Sequence, residues 1–285
     1  MSIYTRNEYR NTKQIRNSNV QIFKNPLFLV SWILVIRYCF EFRDSNFGFV
    51  SYAIYPVQDM VINEIFYSLQ GEGFLAGVPS VFVRLAGCPL RCRWCDTKYA
   101  WDETAGAEYS ISEIVRAVQQ WPCRFVVVTG GEPMINTDLP QLVNQLKAVG
   151  RHITIETAGL AFIQNLSCDL MSISPKLSNS TPTETKLAAV HENSRLDTAV
   201  LSALIDEYNY QLKFVVDSEN DLLEIQQTID KIENVDLEKV MLMPQAVTRD
   251  ELFAKSPMVA EMCKRTGFAF SQRLQILLWN NERGK

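Results

Sequence analysis

Residues 110–129, SISEIVRAVQQWPCRFVVVT, decide the fold class. The first half reads as a helix. Ser110 and Glu113 form a capping box, and Ile114, Val115, Val118 and Trp121 recur on one face. The second half, 124–129, is an unbroken apolar run closed by a threonine, the pattern of a strand covered on both faces in a parallel sheet. Upstream, residues 80–86 (SVFVRLA) alternate about Val81, Val83 and Leu85 and supply the preceding strand. Downstream, Leu139, Leu142, Val143, Leu146 and Val149 line a second helical face, with Gly150 placed as its stop. Short strand-like runs follow at 153–156, 170–174, 212–216 and 240–243, and helical periodicity returns around 196–208, 222–232 and 251–265. Strands separated by helices pair in parallel through right-handed crossovers. The expected architecture is therefore α/β, a partial TIM-like barrel of about six parallel strands with flanking helices.

Composition narrows the function. With 285 residues, 47% hydrophobic and 21% charged, the chain builds one large or two small globular domains. Its 28 Lys plus Arg against 32 Asp plus Glu give a net charge of −4, so it lacks the basic footprint of a nucleic-acid binder and points to a small ligand. Seven cysteines are too few for a disulfide scaffold and odd in number, which fits a reducing cytosol. Two histidines, His152 and His191, are too few for a histidine-rich metal site or an evident Cys/His/Asn triad.

Residues 1–59 differ in character. Arg6, Arg10, Lys13, Arg16 and Lys24 precede an apolar run at 26–36, which Arg37 and Glu41 interrupt. The run is about half the ~20 residues of a membrane span. Its order matches a signal peptide, without an A-x-A cleavage site. A membrane anchor, a leader and a non-native extension ahead of a start at Met60 all stand as readings. The expected division is an extension, 1–59, and a catalytic domain, 60–285.

The chemistry concentrates in residues 87–97, GCPLRCRWCDT, where Cys88, Cys92 and Cys95 stand at CxxxCxxC spacing directly after the first strand. Three thiolates in one short loop can converge on a soft metal centre. Zinc is one reading, but a closed zinc site needs a fourth ligand, and Cys39, Cys123, Cys168 and Cys263 are scattered singly. A cubane cluster with one iron left open is the other. Polar groups also close the remaining strands: TGGEP at 129–133, Glu156-Thr157, Ser174-Pro175-Lys176 and Met243-Pro244-Gln245. Functional residues of parallel barrels collect at such carboxyl ends. Gly130 and Gly131 permit close backbone approach, Glu132 can accept from an ammonium group, and Ser174 and Lys176 can donate to a carboxylate or ribose.

The cysteine loop with GGEP resembles the radical S-adenosylmethionine (SAM) enzymes. Together with Leu69-Gln70-Gly71-Glu72-Gly73, Arg84, Cys95-Asp96-Thr97 and Ser174-Pro175-Lys176, it is similar over residues 60–285 to the 7-carboxy-7-deazaguanine synthases. The resemblance implies a 4Fe-4S cluster on Cys88, Cys92 and Cys95, and SAM on the fourth iron facing Trp94, Asp96, Gly131, Glu132, Ser174, Lys176 and Gln245. It implies 6-carboxy-5,6,7,8-tetrahydropterin as substrate, contacted by Leu69, Gln70, Gly71, Arg84 and Thr129, and a magnesium ion on Thr97. Arg84 suits the substrate carboxylate because its planar fork matches that group; a structural carboxylate is the other partner open to it. The implied reaction is hydrogen abstraction from pterin C6 by a 5′-deoxyadenosyl radical, then ring contraction with loss of ammonia toward a queuosine precursor. No protein side chain beyond the cofactors is expected to act as a catalyst. An external electron donor such as flavodoxin, a homodimer and a cytoplasmic location complete the expectation. A glycyl-radical activase acting on a protein partner, and a non-enzymatic zinc-binding module, are the alternatives. The polar tail from Trp279 to Lys285 is expected near the substrate or a dimer partner.

Overall fold

Alternation along the strands sorts their side chains into two layers. In a computed structural model, which describes residues 59–280 and 282–285, the strands are β1 (Asp59–Leu69), β2 (Pro79–Leu85), β3 (Ala107–Ser110), β4 (Phe125–Gly130), β5 (His152–Thr157), β6 (Leu170–Ile173), β7 (Tyr210–Val216), β8 (Val240–Pro244) and β9 (Ala269–Phe270). Outward positions such as Val81 and Val83, Val126 and Val128, Ile153 and Ile155, and Leu212 and Phe214 belong to one apolar core shared with the helices. The intervening positions Arg84, Thr129, Glu156, Ser172 and Lys213 line a cavity instead. Residues two apart on a strand share a face, so one short run supplies both the packing and the site.

Among the described residues the strands form one sheet in the order β3-β1-β2-β4-β5-β6-β7-β8-β9. The strands β2, β4, β5, β6, β7 and β8 pair in parallel throughout and coincide with the six apolar runs of the sequence. The partial-barrel expectation therefore holds. Three further strands extend it. The antiparallel pair β1–β2 sets Glu64 directly opposite Arg84, β3 runs antiparallel to β1, and β9 continues the parallel direction beside β8. None of the three was expected. A bulge between Ile62 and Glu64 breaks the alternation of β1, while β3 and β9 have only four and two residues.

The helices are α1 (Ile111–Gln119), α2 (Leu139–Ala148), α3 (Thr185–Ser194), α4 (Thr198–Glu207), α5 (Asp221–Ile229), α6 (Arg249–Thr266) and α7 (Leu274–Trp279). The Ser110/Glu113 capping box opens α1, which buries Ile111, Ile114, Val115 and Val118. Gly150, at φ +77°, follows α2 as expected. Helix α3 has no apolar face and so left no periodic signal. No helix among the described residues is long and apolar enough to cross a membrane. The readings of the apolar run at 26–36, and nearly all of the proposed extension, lie outside the described residues.

Candidate active site

The cysteine loop starts where β2 ends and is pinned there by backbone. Gly87 (φ +91°) donates to Ala100 O at 2.9 Å, and Cys88 donates to Trp101 O at 3.1 Å. The Gly130-Gly131 pair passes directly beneath: Gly131 N donates to Leu85 O (2.9 Å) and Glu132 N to Gly87 O (2.8 Å). A Cβ on Gly131 would lie 1.7 Å from Gly87 O, so this glycine is required for backbone to meet backbone under the loop. The Arg91 guanidinium folds back onto Leu90 O at 2.8 Å and Cys88 O at 2.5 Å and lies 5.2 Å from the Trp101 ring centre.

Cys88, Cys92 and Cys95 are free thiols on the wall of one cavity of about 260 Å³ at the carboxyl ends of the parallel strands. Burial pushes the Cys88 thiol up to about 12 and the Cys92 thiol up to about 11, and the Lys176 charge opposes the rise at Cys92. Such thiols become thiolates only when a cation compensates them, which is what a metal centre does. Among the described residues no three His, Cys, Asp or Glu side chains converge tightly enough for a single metal ion. A tetrahedral zinc site would hold its sulfurs within about 3.8 Å of one another, given Zn–S near 2.3 Å. Three separate thiols, with no fourth cysteine on the cavity wall among the described residues, suit a cluster that takes one thiolate per iron.

Three carboxylates organise the polar groups around the rest of the cavity: Glu72 and Glu156 on its wall, and Glu64 behind Arg84. Glu72 accepts from Lys213 Nζ at 2.8 Å, Arg273 Nε at 3.1 Å and Gln275 Nε2 at 2.8 Å, and Arg273 also reaches Asp96 at 2.5 Å. Burial alone would raise the Glu72 carboxyl, but the Lys213 and Arg273 charges outweigh it and hold the group well below the carboxylate range. Glu156 bridges Gln70 Nε2 (3.1 Å) and Thr129 Oγ1 (2.8 Å). Glu64 gathers Arg84 (2.7 Å), Tyr99 (3.0 Å) and Arg283 (2.9 Å). Arg84 thus has the structural carboxylate partner that the sequence left open, while it also faces the cavity.

Of the residues expected at the site, Leu69, Gln70, Gly71, Arg84, Cys88, Cys92, Trp94, Cys95, Asp96, Thr97, Thr129, Gly131, Ser174 and Lys176 line the cavity. Thr97 Oγ1 stands 3.5 Å from Cys95 Sγ, and Lys176 Nζ donates to Ser174 O (2.6 Å) and lies 6.0 Å from the Trp94 ring centre. Glu132 and Gln245 are not on the wall. The buried Glu132 carboxylate accepts from Thr157 Oγ1 (2.6 Å), Ala158 N (2.8 Å) and Met134 N (3.0 Å), and so ties the turn after β4 to the end of β5. Gln245 Oε1 accepts from Lys255 at 2.5 Å. The sequence reading missed the site positions of Glu72, Tyr99, Lys213, Arg273 and Gln275, and left Glu156 without a role; all six line the cavity. For three strands a signal was present, since Thr154/Glu156, Ser172/Ser174 and Gln211/Lys213 are polar pairs two apart within otherwise apolar runs. Arg283, Gly284 and Lys285 of the tail also line the cavity.

Residues 83–192 match the Radical SAM superfamily. The three-thiol loop at the carboxyl end of a partial parallel barrel, with that match, defines a radical SAM enzyme, a class that carries a 4Fe-4S cluster and SAM. The chain is 42% identical over 233 residues to the 7-carboxy-7-deazaguanine synthase of Halobacterium salinarum, which spans 77% of this chain and 90% of that one. It is 40% identical over 229 residues to the enzyme of the same name from Rhodopirellula baltica, spanning 79% and 88%. The crystal structure of QueE from Escherichia coli superposes with a TM-score of 0.58 at 26% identity, covering 75% of this chain and 93% of that one. The chain belongs to the 7-carboxy-7-deazaguanine synthase family. Neither a glycyl-radical activase nor a zinc-binding module is what it resembles.

Proposed function

We propose that the protein converts 6-carboxy-5,6,7,8-tetrahydropterin to 7-carboxy-7-deazaguanine and ammonia. The observation that carries this reading is the cavity itself, with three free thiols on one wall and buried carboxylates and cations on the others. Cys88, Cys92 and Cys95 would hold the cluster, and Trp94, Asp96, Gly131, Ser174 and Lys176 would line the SAM side. When bound, cluster and SAM supply the one-electron chemistry that generates a radical able to take hydrogen from the pterin. The chain's own tasks are to bind, orient and exclude water. Gln70 and Glu156 present an amide and a carboxylate to the donor-acceptor edge of the heterocycle, with Leu69, Gly71 and Thr129 beside them. Arg84 lies over Phe66 at 5.6 Å, has Glu64 on one side, and offers its remaining N–H groups to the substrate carboxylate. Thr97 would supply an oxygen to Mg²⁺, a cation that prefers such ligands. Glu132 and Gln245 act behind the cavity wall, as supports of the turns that follow β4 and β8.

The catalytic unit is residues 60–285. It works in the cytosol as a homodimer, with a flavodoxin-like donor supplying the electron. The decisive experiment is anaerobic reconstitution with iron and sulfide, then incubation with the carboxypterin, SAM, Mg²⁺ and a reductant, with mass detection of the deazaguanine. Product formation that disappears, together with the brown colour, when any of Cys88, Cys92 and Cys95 becomes serine is the expected result. A fully loaded cluster that yields no product would reject the substrate assignment.

A further inference from the structure

Helix α3 is hard to explain by packing. Of its ten residues only His191 is buried, while Leu187 and Val190 stand 38% and 59% exposed. A helix normally docks through an apolar stripe. This one docks through a polar side chain. The His191 ring points at the cysteine loop, where Nδ1 accepts from Arg91 N–H at 3.3 Å. The ring proton therefore sits on Nε2, which donates to Ser180 Oγ at 2.8 Å, and the Ser180 hydroxyl in turn donates to Leu177 O at 2.6 Å. Every donor in this chain has one acceptor.

The same segment holds the loop at three more points. Ser180 O accepts from Arg93 N at 2.8 Å, and Asn179 O accepts from Arg93 Nε at 2.6 Å and Trp94 Nε1 at 3.1 Å. The backbone N–H groups on both sides of Cys92 are thus captured, one by His191 and one by Ser180. Arg195, just past the helix, adds a bond to Lys176 O at 2.8 Å, so α3 is tied to the Ser174-Pro175-Lys176 turn as well.

We infer that His191 is a positioning residue for the cluster: through Arg91 N–H and Ser180 it holds the backbone around Cys92 in its ligating shape before iron arrives. A buried histidine that merely satisfied its own polar atoms would not need to join two segments about 100 residues apart. The inference rests on Cys88, Cys92 and Cys95 being the cluster ligands, and is independent of which substrate the enzyme takes. Preformed ligands lower the ordering that metal binding must impose.

The test uses the full-length chain in three forms: parent, His191→Phe, which fills the volume but removes both ring bonds, and His191→Asn, whose Oδ1 stands near the lost Nδ1 and restores the acceptor for Arg91. Two rates are read besides activity: iron release from the reconstituted protein to a ferrous chelator, and alkylation of Cys92 before reconstitution, followed by peptide mass spectrometry with Cys123 as internal reference. His191→Phe should raise both by about fivefold or more, the lower end of what losing two hydrogen bonds is worth; His191→Asn should recover most of the loss. Both rates within twofold of the parent would overturn the inference. Should His191→Phe fail to fold, Ser180→Ala, which leaves the Arg195 tether in place, must show the same two increases or the inference falls. A parent that takes up no iron would sink the ligand assignment and the inference with it, whereas a parent that loads iron while His191→Phe leaves both rates unchanged sinks the inference alone.

Discussion

Replacing Lys213 by methionine isolates the charge network on the cavity wall. The ammonium is 3% exposed, its partner carboxylate on Glu72 is 15% exposed, and they stand 2.8 Å apart. Removing one member of a buried pair costs about 3–5 kcal/mol, because the other is left as an uncompensated charge. Glu72 keeps Arg273 Nε and Gln275 Nε2, so the lower end applies, about 3 kcal/mol. For a chain of this size that is a fall of roughly 6–12 °C in melting temperature. Neutralising the carboxylate in the same chain removes the orphan, so Lys213→Met with Glu72→Gln should lose less than the sum of the single losses, by about 1 kcal/mol or more. The assay is anaerobic urea unfolding of the full-length parent, the two single variants and the double variant. Additivity within about 0.5 kcal/mol would mean that the two side chains do not depend on each other, and would refute the reasoning.

The same network has a pH signature. Lys213 and Arg273 hold Glu72 below its ordinary value of 4.5, so its contribution is complete above that pH and fades progressively as pH falls from there towards the lowered folded value; melting curves from pH 6 to 3 should lose an acid-sensitive component in Glu72→Gln, and superimposable acid limbs would contradict this. Arg84→Met should raise KM for the carboxypterin about tenfold to a hundredfold, the worth of a charged hydrogen bond, while SAM affinity measured by calorimetry stays put; an equal loss for both ligands would assign Arg84 to packing. Thr97→Ala should weaken the dependence of turnover on Mg²⁺ and leave the brown colour, and an unchanged Mg²⁺ titration would exclude Thr97 from the ion. Deleting residues 1–57 should leave iron uptake and product formation intact, and a folded but inactive product would give that segment a function.

The parts of this protein that could be read from its sequence are those whose physics is local. Six parallel strands were visible because burial on both faces of a β-strand demands a short apolar run, and the helices α1, α2, α4, α5 and α6 because packing on a sheet demands a stripe. Helix α3 was not visible, since it is held by His191 and Arg195 and carries no stripe. The thiol loop was legible for a related reason: its three ligands lie within eight consecutive residues, so spacing alone brings them together. Glu132 and Gln245 show the limit of such reasoning. Each is polar and close to a strand end, yet Glu132 is consumed by the turn it stabilises and Gln245 by Lys255.

What only the tertiary structure decided is which charges meet. Glu72 finds Lys213 across 141 residues and Arg273 across 201, and Arg273 returns to Asp96 across 177. No local pattern encodes these pairs. They form because the barrel turns one face of every strand inward, where a cation such as Lys213 is stable only beside a carboxylate brought in from elsewhere in the chain.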